Sequence, residues 1–247
     1  MLAAALAASL AAQTLPPRAR SNAWPRLELL GQTGFGERLS ADLWVHRAFA
    51  YLGTASCGHG VVPFDVSDPA APQPLDPLLT DPNSTAEDVM VIRAETPNFR
   101  GDLLAVGLQQ CRQGGARGIQ FWDVTDPRRP ERLSFFQTGT TTNGVHELYL
   151  FQRQDRILAL LAVPGSDSRG AADFRIVEAT DPRDPRQIAD WGIARDLRDV
   201  PPGSGASRSL ICHSAWANQE GTLAYLSYWD RGLVILDISD AVNPRFL

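Results

Sequence analysis

The chain contains no lysine, only three cysteines and only two methionines among its 247 residues. All 23 basic residues are therefore arginine, and 28 acidic residues leave a net charge of −5. A nucleic-acid-binding protein normally presents a basic surface, so this charge argues against nucleic acid as a partner. The missing lysine is typical of a GC-rich coding sequence and carries no functional meaning.

Long hydrophobic runs are also missing. No apolar run approaches the roughly 18 residues of a membrane helix, so we expect no transmembrane segment in the mature chain. The Ala/Leu run Met1–Ala12, followed by Pro16 and Pro17, predicts that residues 1–20 are a leader or signal peptide. Because a basic n-region is absent, the true start would lie upstream. The alternative is a plain Ala-rich helix.

The three cysteines match no zinc or redox motif, because no CxxC occurs. In an exported protein two of them could form a disulfide. Cys57 and Cys111 are the candidate pair, since both fall in equivalent loops of the repeat described below, and Cys212 would remain free. In a cytosolic protein all three would be thiols.

Four segments align without gaps and form an internal repeat. Each has an acid at its sixth place, Ser or Thr at its eighth and Asp at its ninth, and a proline lies four residues beyond. The final Asp residues are 58, 55 and 59 residues apart. The segments are Gly60–Asp68 (GVVPFDVSD), Gly118–Asp126 (GIQFWDVTD), Asp173–Asp181 (DFRIVEATD) and Gly232–Asp240 (GLVILDISD).

Each copy has the pattern of a buried strand followed by a turn. The residues rich in Val, Ile, Leu and Phe predict the strand. The acids at the sixth and ninth places are predicted to accept backbone N–H groups and to stabilise the turn rather than to form an active site. These structural acids are Asp65, Asp68, Asp123, Asp126, Glu178, Asp181, Asp237 and Asp240.

Each period of about 57 residues also holds three further short strands and no convincing helix. Tandem four-stranded units are typical of a β-propeller. We therefore predict an all-β fold of four-stranded antiparallel blades over residues 25–247. A β-sandwich with coincidental internal similarity is the alternative. The blade units would end near Asp68, Asp126, Asp181 and Asp240.

The number of blades depends on both ends of this pattern. A strand-like segment, Arg26–Leu30, precedes the first copy, and Pro244–Leu247 begins another after the last. In one interpretation Arg26–Leu30 completes the last blade and closes a four-bladed ring. In the favoured interpretation about four blades belong to an incomplete larger ring, whose remaining blades are missing. A typical ring of six to eight such units would need roughly 340 to 460 residues.

The segments GLVILDISDAVNP, GIQFWDVTDPRRP and GVVPFDVSDPAAP resemble the LVIVD repeat, which is found mainly in exported bacterial and archaeal proteins. The resemblance covers about residues 25–247 and implies a β-propeller and secretion or a place in the cell envelope. It implies no settled biochemical activity. Asp173 in place of Gly and Glu178 in place of Asp depart from the repeat.

Four equivalent dipeptides begin the first strand of each unit, and this strand lines the central channel of a propeller. Three of their side chains, His146, His213 and Glu87, would together offer nitrogen and oxygen ligands for zinc or another divalent transition metal. The alternative is that each side chain bonds nearby backbone at the channel rim. The dipeptides are Ala41-Asp42, Glu87-Asp88, His146-Glu147 and His213-Ser214.

The loops between the second and third strands of each unit vary in length, and functional variation usually lies in such loops. Tyr228, Trp229 and Arg231 are residue types favoured at binding hot spots and are candidates for ligand or partner contact. Packing between blades is an equally weighted alternative. No GxSxG, P-loop or HExxH motif occurs.

The leading functional prediction is a non-catalytic exported scaffold that binds a protein, glycan or envelope component and needs no cofactor. A metal-dependent hydrolase or oxidoreductase at the channel mouth is the rival hypothesis. A purely structural module of a larger envelope protein is the third.

Overall fold

The computed structural model describes residues 27–34, 36–165, 172–197 and 210–247. The expected leader at residues 1–20 lies outside the described residues, as does Arg26 at the start of the predicted first strand. Residues 27–30 form no helix or strand, so the described part of that predicted strand is not formed.

The described residues form antiparallel β-sheets and contain one helical turn, so this part of the chain is all-β. The strands fall into four consecutive groups of four, which we call units 1 to 4. Unit 1 contains β1 (Ser40–His46), β2 (Phe49–Thr54), β3 (Val62–Asp65) and β4 (Gln73–Pro74). Unit 2 contains β5 (Ser84–Glu95), β6 (Arg100–Gln110), β7 (Gly118–Asp123) and β8 (Glu131–Gln137). Unit 3 contains β9 (Glu147–Arg153), β10 (Arg156–Ala162), β11 (Phe174–Glu178) and β12 (Arg186–Trp191). Unit 4 contains β13 (Cys212–Ala217), β14 (Leu223–Tyr228), β15 (Gly232–Asp237) and β16 (Arg245–Phe246).

Within each unit every strand pairs antiparallel with the next strand along the chain. Units 3 and 4 are separate four-stranded sheets, whereas units 1 and 2 are joined by the pair Thr54–Ala86. The last strand of unit 4 is Arg245–Phe246, which pairs with β15. The sheet edge that Arg26–Leu30 was expected to complete is therefore occupied by the C-terminal segment.

The hydrophobic core lies between successive units. Residues on the second strand of a unit alternate in direction, so Leu104 packs toward unit 1 and Leu103 toward unit 3. Equivalent apolar residues, including Leu160 and Leu226, fill the space between units 3 and 4. Both faces of the inner sheets are thus covered, which explains why their second strands are almost continuously apolar.

The turn after each third strand is held by the same two acids in all four units. The acid that ends the strand accepts a bond from the residue two places on, at 2.9 Å from Thr125 N to Asp123 Oδ1. In unit 3 the longer Glu178 accepts instead from the Thr180 hydroxyl, at 3.1 Å. The following Asp then accepts from its own second neighbour, at distances between 3.0 and 3.2 Å. These side chains therefore hold the turn against the strand.

One helical turn, α1 (Ile193–Asp196), follows β12, where the sequence predicts no helix. Its first turn is held by the Asp196 carboxylate, which accepts from the Gly192 amide at 2.9 Å, and by ion pairs of Arg195 with Asp190 and Asp196. Among the described residues no helix is long and apolar enough to cross a membrane.

Candidate functional site

A cavity of about 470 Å³ lies where the first strands of the four units, β1, β5, β9 and β13, begin. The side chains at its mouth belong to the four equivalent dipeptides. Among the described residues no arginine lines this cavity, although arginine is the only strongly basic residue type in the chain. The described part of the cavity wall is therefore acidic apart from His146.

Two histidines from neighbouring units meet at the mouth of the cavity. Nε2 of His146 lies 3.2 Å from Nε2 of His213. The two rings are nearly perpendicular, with an interplanar angle of 83° and centroids 4.6 Å apart. Both side chains are about one-third exposed.

A carboxylate holds the other nitrogen of each ring. Nδ1 of His146 lies 3.3 Å from Glu87 Oε2 and 3.3 Å from Gln109 Oε1. Nδ1 of His213 lies 3.3 Å from Glu147 Oε1. Both Nδ1 atoms are thus placed to donate, which leaves the two facing Nε2 atoms as the free positions.

The Glu87–His146 contact favours the charged form of both partners. The hydrogen bond from His146 lowers the pKa of Glu87, although burial opposes this change. The same hydrogen bond raises the pKa of His146 above its ordinary value, again against the effect of burial. In the metal-free protein the pair therefore carries a carboxylate and an imidazolium over a wider pH range than free side chains would.

A second pair of acids lies beside the histidines. Asp88 is only 8% exposed, and its Oδ2 accepts a hydrogen bond from the Leu148 amide. Burial, a hydrogen bond with Asp42 and the charges of Asp42 and Glu147 together raise the pKa of Asp88 to about 8, against the Leu148 amide, which lowers it. At pH 7 the protonated form of Asp88 is therefore favoured, and it can donate that hydrogen bond to Asp42.

Local backbone irregularities bring these side chains to the cavity. The register shifts between Ser40 and Leu43 in β1 and between Ala86 and Val89 in β5, and β13 is irregular at the same place. Such bulges commonly redirect side chains at functional sites. Small residues on the second strands lie opposite these bulges. A Cβ atom on Gly53 would lie 2.4 Å from the Glu87 carbonyl oxygen, so the bulge of β5 requires a glycine there.

A layer of large apolar side chains lies two residues further along each first strand. Trp44, Met90 and Trp216 line the cavity below the acids. Tyr149, at the equivalent place in β9, packs against Trp216 with ring centroids 4.1 Å apart and an interplanar angle of 40°. At the mouth, Trp229 packs on His213 at 5.0 Å. The cavity therefore has a polar rim above an aromatic wall.

The structure brings the predicted metal-ligand residues together, but in a different arrangement. Glu87 lies on the Nδ1 side of His146, away from His213, so it does not share the space between the two Nε2 atoms. Glu147, rather than Glu87, completes a close group with the two histidines, since one ligand atom each of His146, Glu147 and His213 lies within 4.8 Å of the others. The dipeptide alignment identifies Glu147 as a cavity residue, but the sequence does not reveal which nitrogen each carboxylate faces.

The three residues predicted to contact a partner are in different environments. Tyr228 is only 1% exposed, and its hydroxyl donates to Asp173 Oδ1 at 2.6 Å. Its burial favours the alternative, packing in the core, over contact with a partner, and the same burial raises its pKa. Trp229 is 55% exposed, and Arg231 is half-buried.

The structure joins Cys57 and Cys111 as a disulfide, with Cα atoms 6.0 Å apart. Both residues lie in the loops that follow second strands, and the bond links unit 1 to unit 2. Cys212 is free and buried in β13, directly before His213.

Residues 220–247 match the family model of the LVIVD repeat. The matched segment contains β14, β15 and β16, and the sequence-based resemblance to LVIVD-repeat proteins is confirmed there. The chain carries an LVIVD repeat.

Among solved structures, the chain is similar to the crystal structure of an exo-1,5-alpha-L-arabinanase from a bovine ruminal metagenomic library. The two are 11% identical, with a TM-score of 0.44 over 90% of this chain and 83% of the other. A search of curated proteins finds no match.

Proposed function

We propose that this LVIVD-repeat chain is part of an exported β-propeller, that each unit is one blade, and that its central cavity binds a ligand without catalysis. The repeat type and the order of strands within each unit support the propeller arrangement. The first strands of all four units line one cavity, as the innermost strands of propeller blades do. The Cys57–Cys111 bond supports export, because disulfides persist in oxidising compartments.

The ligand is a neutral, hydroxyl-rich molecule such as an oligosaccharide. The observation that carries this proposal is the layering of the cavity, with carboxylate acceptors at the rim and Trp44 and Trp216 on the wall. Hydroxyl groups can donate to Asp42, Glu87 and Glu147, while the apolar face of a sugar ring packs on indole. An anionic ligand is disfavoured because the residues that the structure describes around the cavity offer carboxylates and no arginine.

Titration calorimetry with a panel of neutral trisaccharides (maltotriose, cellotriose and xylotriose) tests this proposal on the metal-free full-length chain. We expect at least one to bind and Trp216→Ala to weaken that binding by tenfold or more, because half of the Trp216 side chain is exposed to the ligand. Phe135→Ala is the matched control, since Phe135 is a partly exposed aromatic residue on the outer strand β8.

Failure of every trisaccharide to bind would overturn the proposed ligand class. Equal weakening by Trp216→Ala and Phe135→Ala would overturn the proposed cavity.

A metal-dependent hydrolase is a second candidate, and the facing Nε2 atoms of His146 and His213 favour it. A metal ion there could polarise a ligand oxygen or activate water. Incubating the zinc-loaded protein with the trisaccharide that binds separates the two functions. Product sugars that disappear in His213→Ala would establish the enzyme, whereas intact trisaccharide would leave the non-catalytic role.

A further inference from the structure

The facing nitrogen atoms of His146 and His213 need either a proton or a metal ion between them. Each Nδ1 is turned toward a carboxylate oxygen at 3.3 Å, so each is placed to carry its proton. A neutral imidazole has one protonated nitrogen, and the other presents a lone pair. With both protons on Nδ1, two lone pairs would face each other across 3.2 Å. Either a proton or a metal ion must lie there.

The separation of the two nitrogen atoms fits a metal ion. Histidine nitrogen binds zinc at about 2.0–2.1 Å, so two ligands at a tetrahedral angle are about 3.3–3.4 Å apart. The observed 3.2 Å agrees with that spacing. The perpendicular rings keep the remaining ring atoms apart, so both Nε2 atoms can approach one ion.

The surrounding carboxylates have the arrangement usual around a metal-bound histidine. Such a histidine almost always donates its second nitrogen to a carboxylate or carbonyl group, which fixes the tautomer and the ring orientation. Glu87 does this for His146, and Glu147 does it for His213. Glu147 is also close enough to supply an oxygen ligand. This donor set, with two imidazoles, suits Zn, Cu, Fe or Ni rather than Ca or Mg.

We propose that His146 and His213 bind one divalent transition-metal ion through their Nε2 atoms, with Glu147 as an oxygen ligand and Glu87 as the positioning residue of His146. The open coordination positions face the cavity, where a ligand hydroxyl or water would complete them. The centre lies in the cavity of the proposed function and so rests on it for its ligand. Metal binding itself does not require the oligosaccharide.

The test measures zinc directly on the full-length chain. After chelation, incubation with zinc and desalting, elemental analysis should find one ion per chain. His146→Ala and His213→Ala should each lose it, whereas His59→Ala should retain it, because His59 is an exposed histidine in a loop of unit 1. Glu87→Gln keeps the ligands and should weaken zinc binding by about 10- to 100-fold. Circular dichroism and the melting temperature check that each variant is folded.

Metal-free wild-type protein after loading, or one zinc ion retained by the His146→Ala/His213→Ala double variant, would overturn the centre. If the histidine variants do not fold, an unchanged zinc affinity in Glu87→Gln would also overturn the proposed metal centre. Trisaccharide binding is measured without metal, so the two tests are independent. If no trisaccharide binds, the proposed ligand class is overturned but the zinc result still holds.

Discussion

Two sets of four equivalent positions use the repeat in different ways. At the ends of the third strands the acids are Asp, Asp, Glu and Asp, and each holds the turn of its own unit. At the starts of the first strands the equivalent residues are Ala41, Glu87, His146 and His213, and His146 contacts both Glu87 and His213 beside one cavity. A position that keeps its chemistry in every unit serves that unit, and a position that diverges contributes to something the units share.

The largest effect on stability is expected from the disulfide that joins units 1 and 2. Removing the disulfide with Cys57→Ser/Cys111→Ser should lower the free energy of unfolding by about 4 kcal/mol, because the bond closes a loop with a sequence separation of 54. Urea denaturation of the oxidised wild type and the double variant measures the difference. Reduced wild type is the control and should match the variant. Mass mapping that finds both thiols free in the oxidised protein would remove the basis of the prediction.

The next effect concerns pH and the buried acid at the cavity. The pKa of Asp88 is about 8 in the folded chain and roughly 3.9 in an unfolded one. The folded state therefore holds a proton that the unfolded state has released. Its stabilising contribution is complete below about pH 4 and is lost as the pH rises through about 8. Asp88→Asn should flatten this pH dependence, and Asp155→Asn, at an exposed turn, should leave it unchanged. Identical pH profiles for wild type and Asp88→Asn would contradict the prediction.

A smaller loss of stability is expected on replacing Gly53, the glycine that faces the β5 bulge. Gly53→Ala should lower the free energy of unfolding by about 2 kcal/mol, because the new Cβ would lie 2.4 Å from backbone oxygen and the strand must move. Gly34→Ala is the control, since nothing lies within 4 Å of its added Cβ and no change is expected. Equal urea midpoints for the two variants would show that the bulge adapts without cost.

The smallest pair of changes separates the two sets directly. Asp123→Ala removes the hydrogen bond from Thr125 N and should cost about 1 kcal/mol of stability without altering zinc affinity. Glu147→Gln should have the opposite pair of effects. It should weaken zinc binding, and its urea midpoint of unfolding should stay close to that of the wild type. Thermal melts and zinc titrations of both variants complete the comparison. A turn variant that loses zinc would show that the two sets are coupled.

The sequence predicts the units well because local chemistry determines them. The alternation of apolar residues and the acid-turn motif place β7, β11 and β15 within a residue or two. Aligning the repeats also places His146 and His213 at one mouth. Which nitrogen faces which carboxylate depends on strand register and bulges, and these arise from packing between units. Gly53 and Gly107 are a sequence signal for these bulges, since each lies opposite the dipeptide at an irregular place in the neighbouring first strand.

Cys212 offers a reporter for the strand that carries the metal site. Its thiol is inaccessible, and burial raises its pKa well above the ordinary value, so it is nearly inert while β13 stays in place. With Cys57 and Cys111 bonded to each other, an alkylating reagent can modify the chain at this one thiol. The rate of labelling therefore measures how often β13 opens, at the residue next to His213.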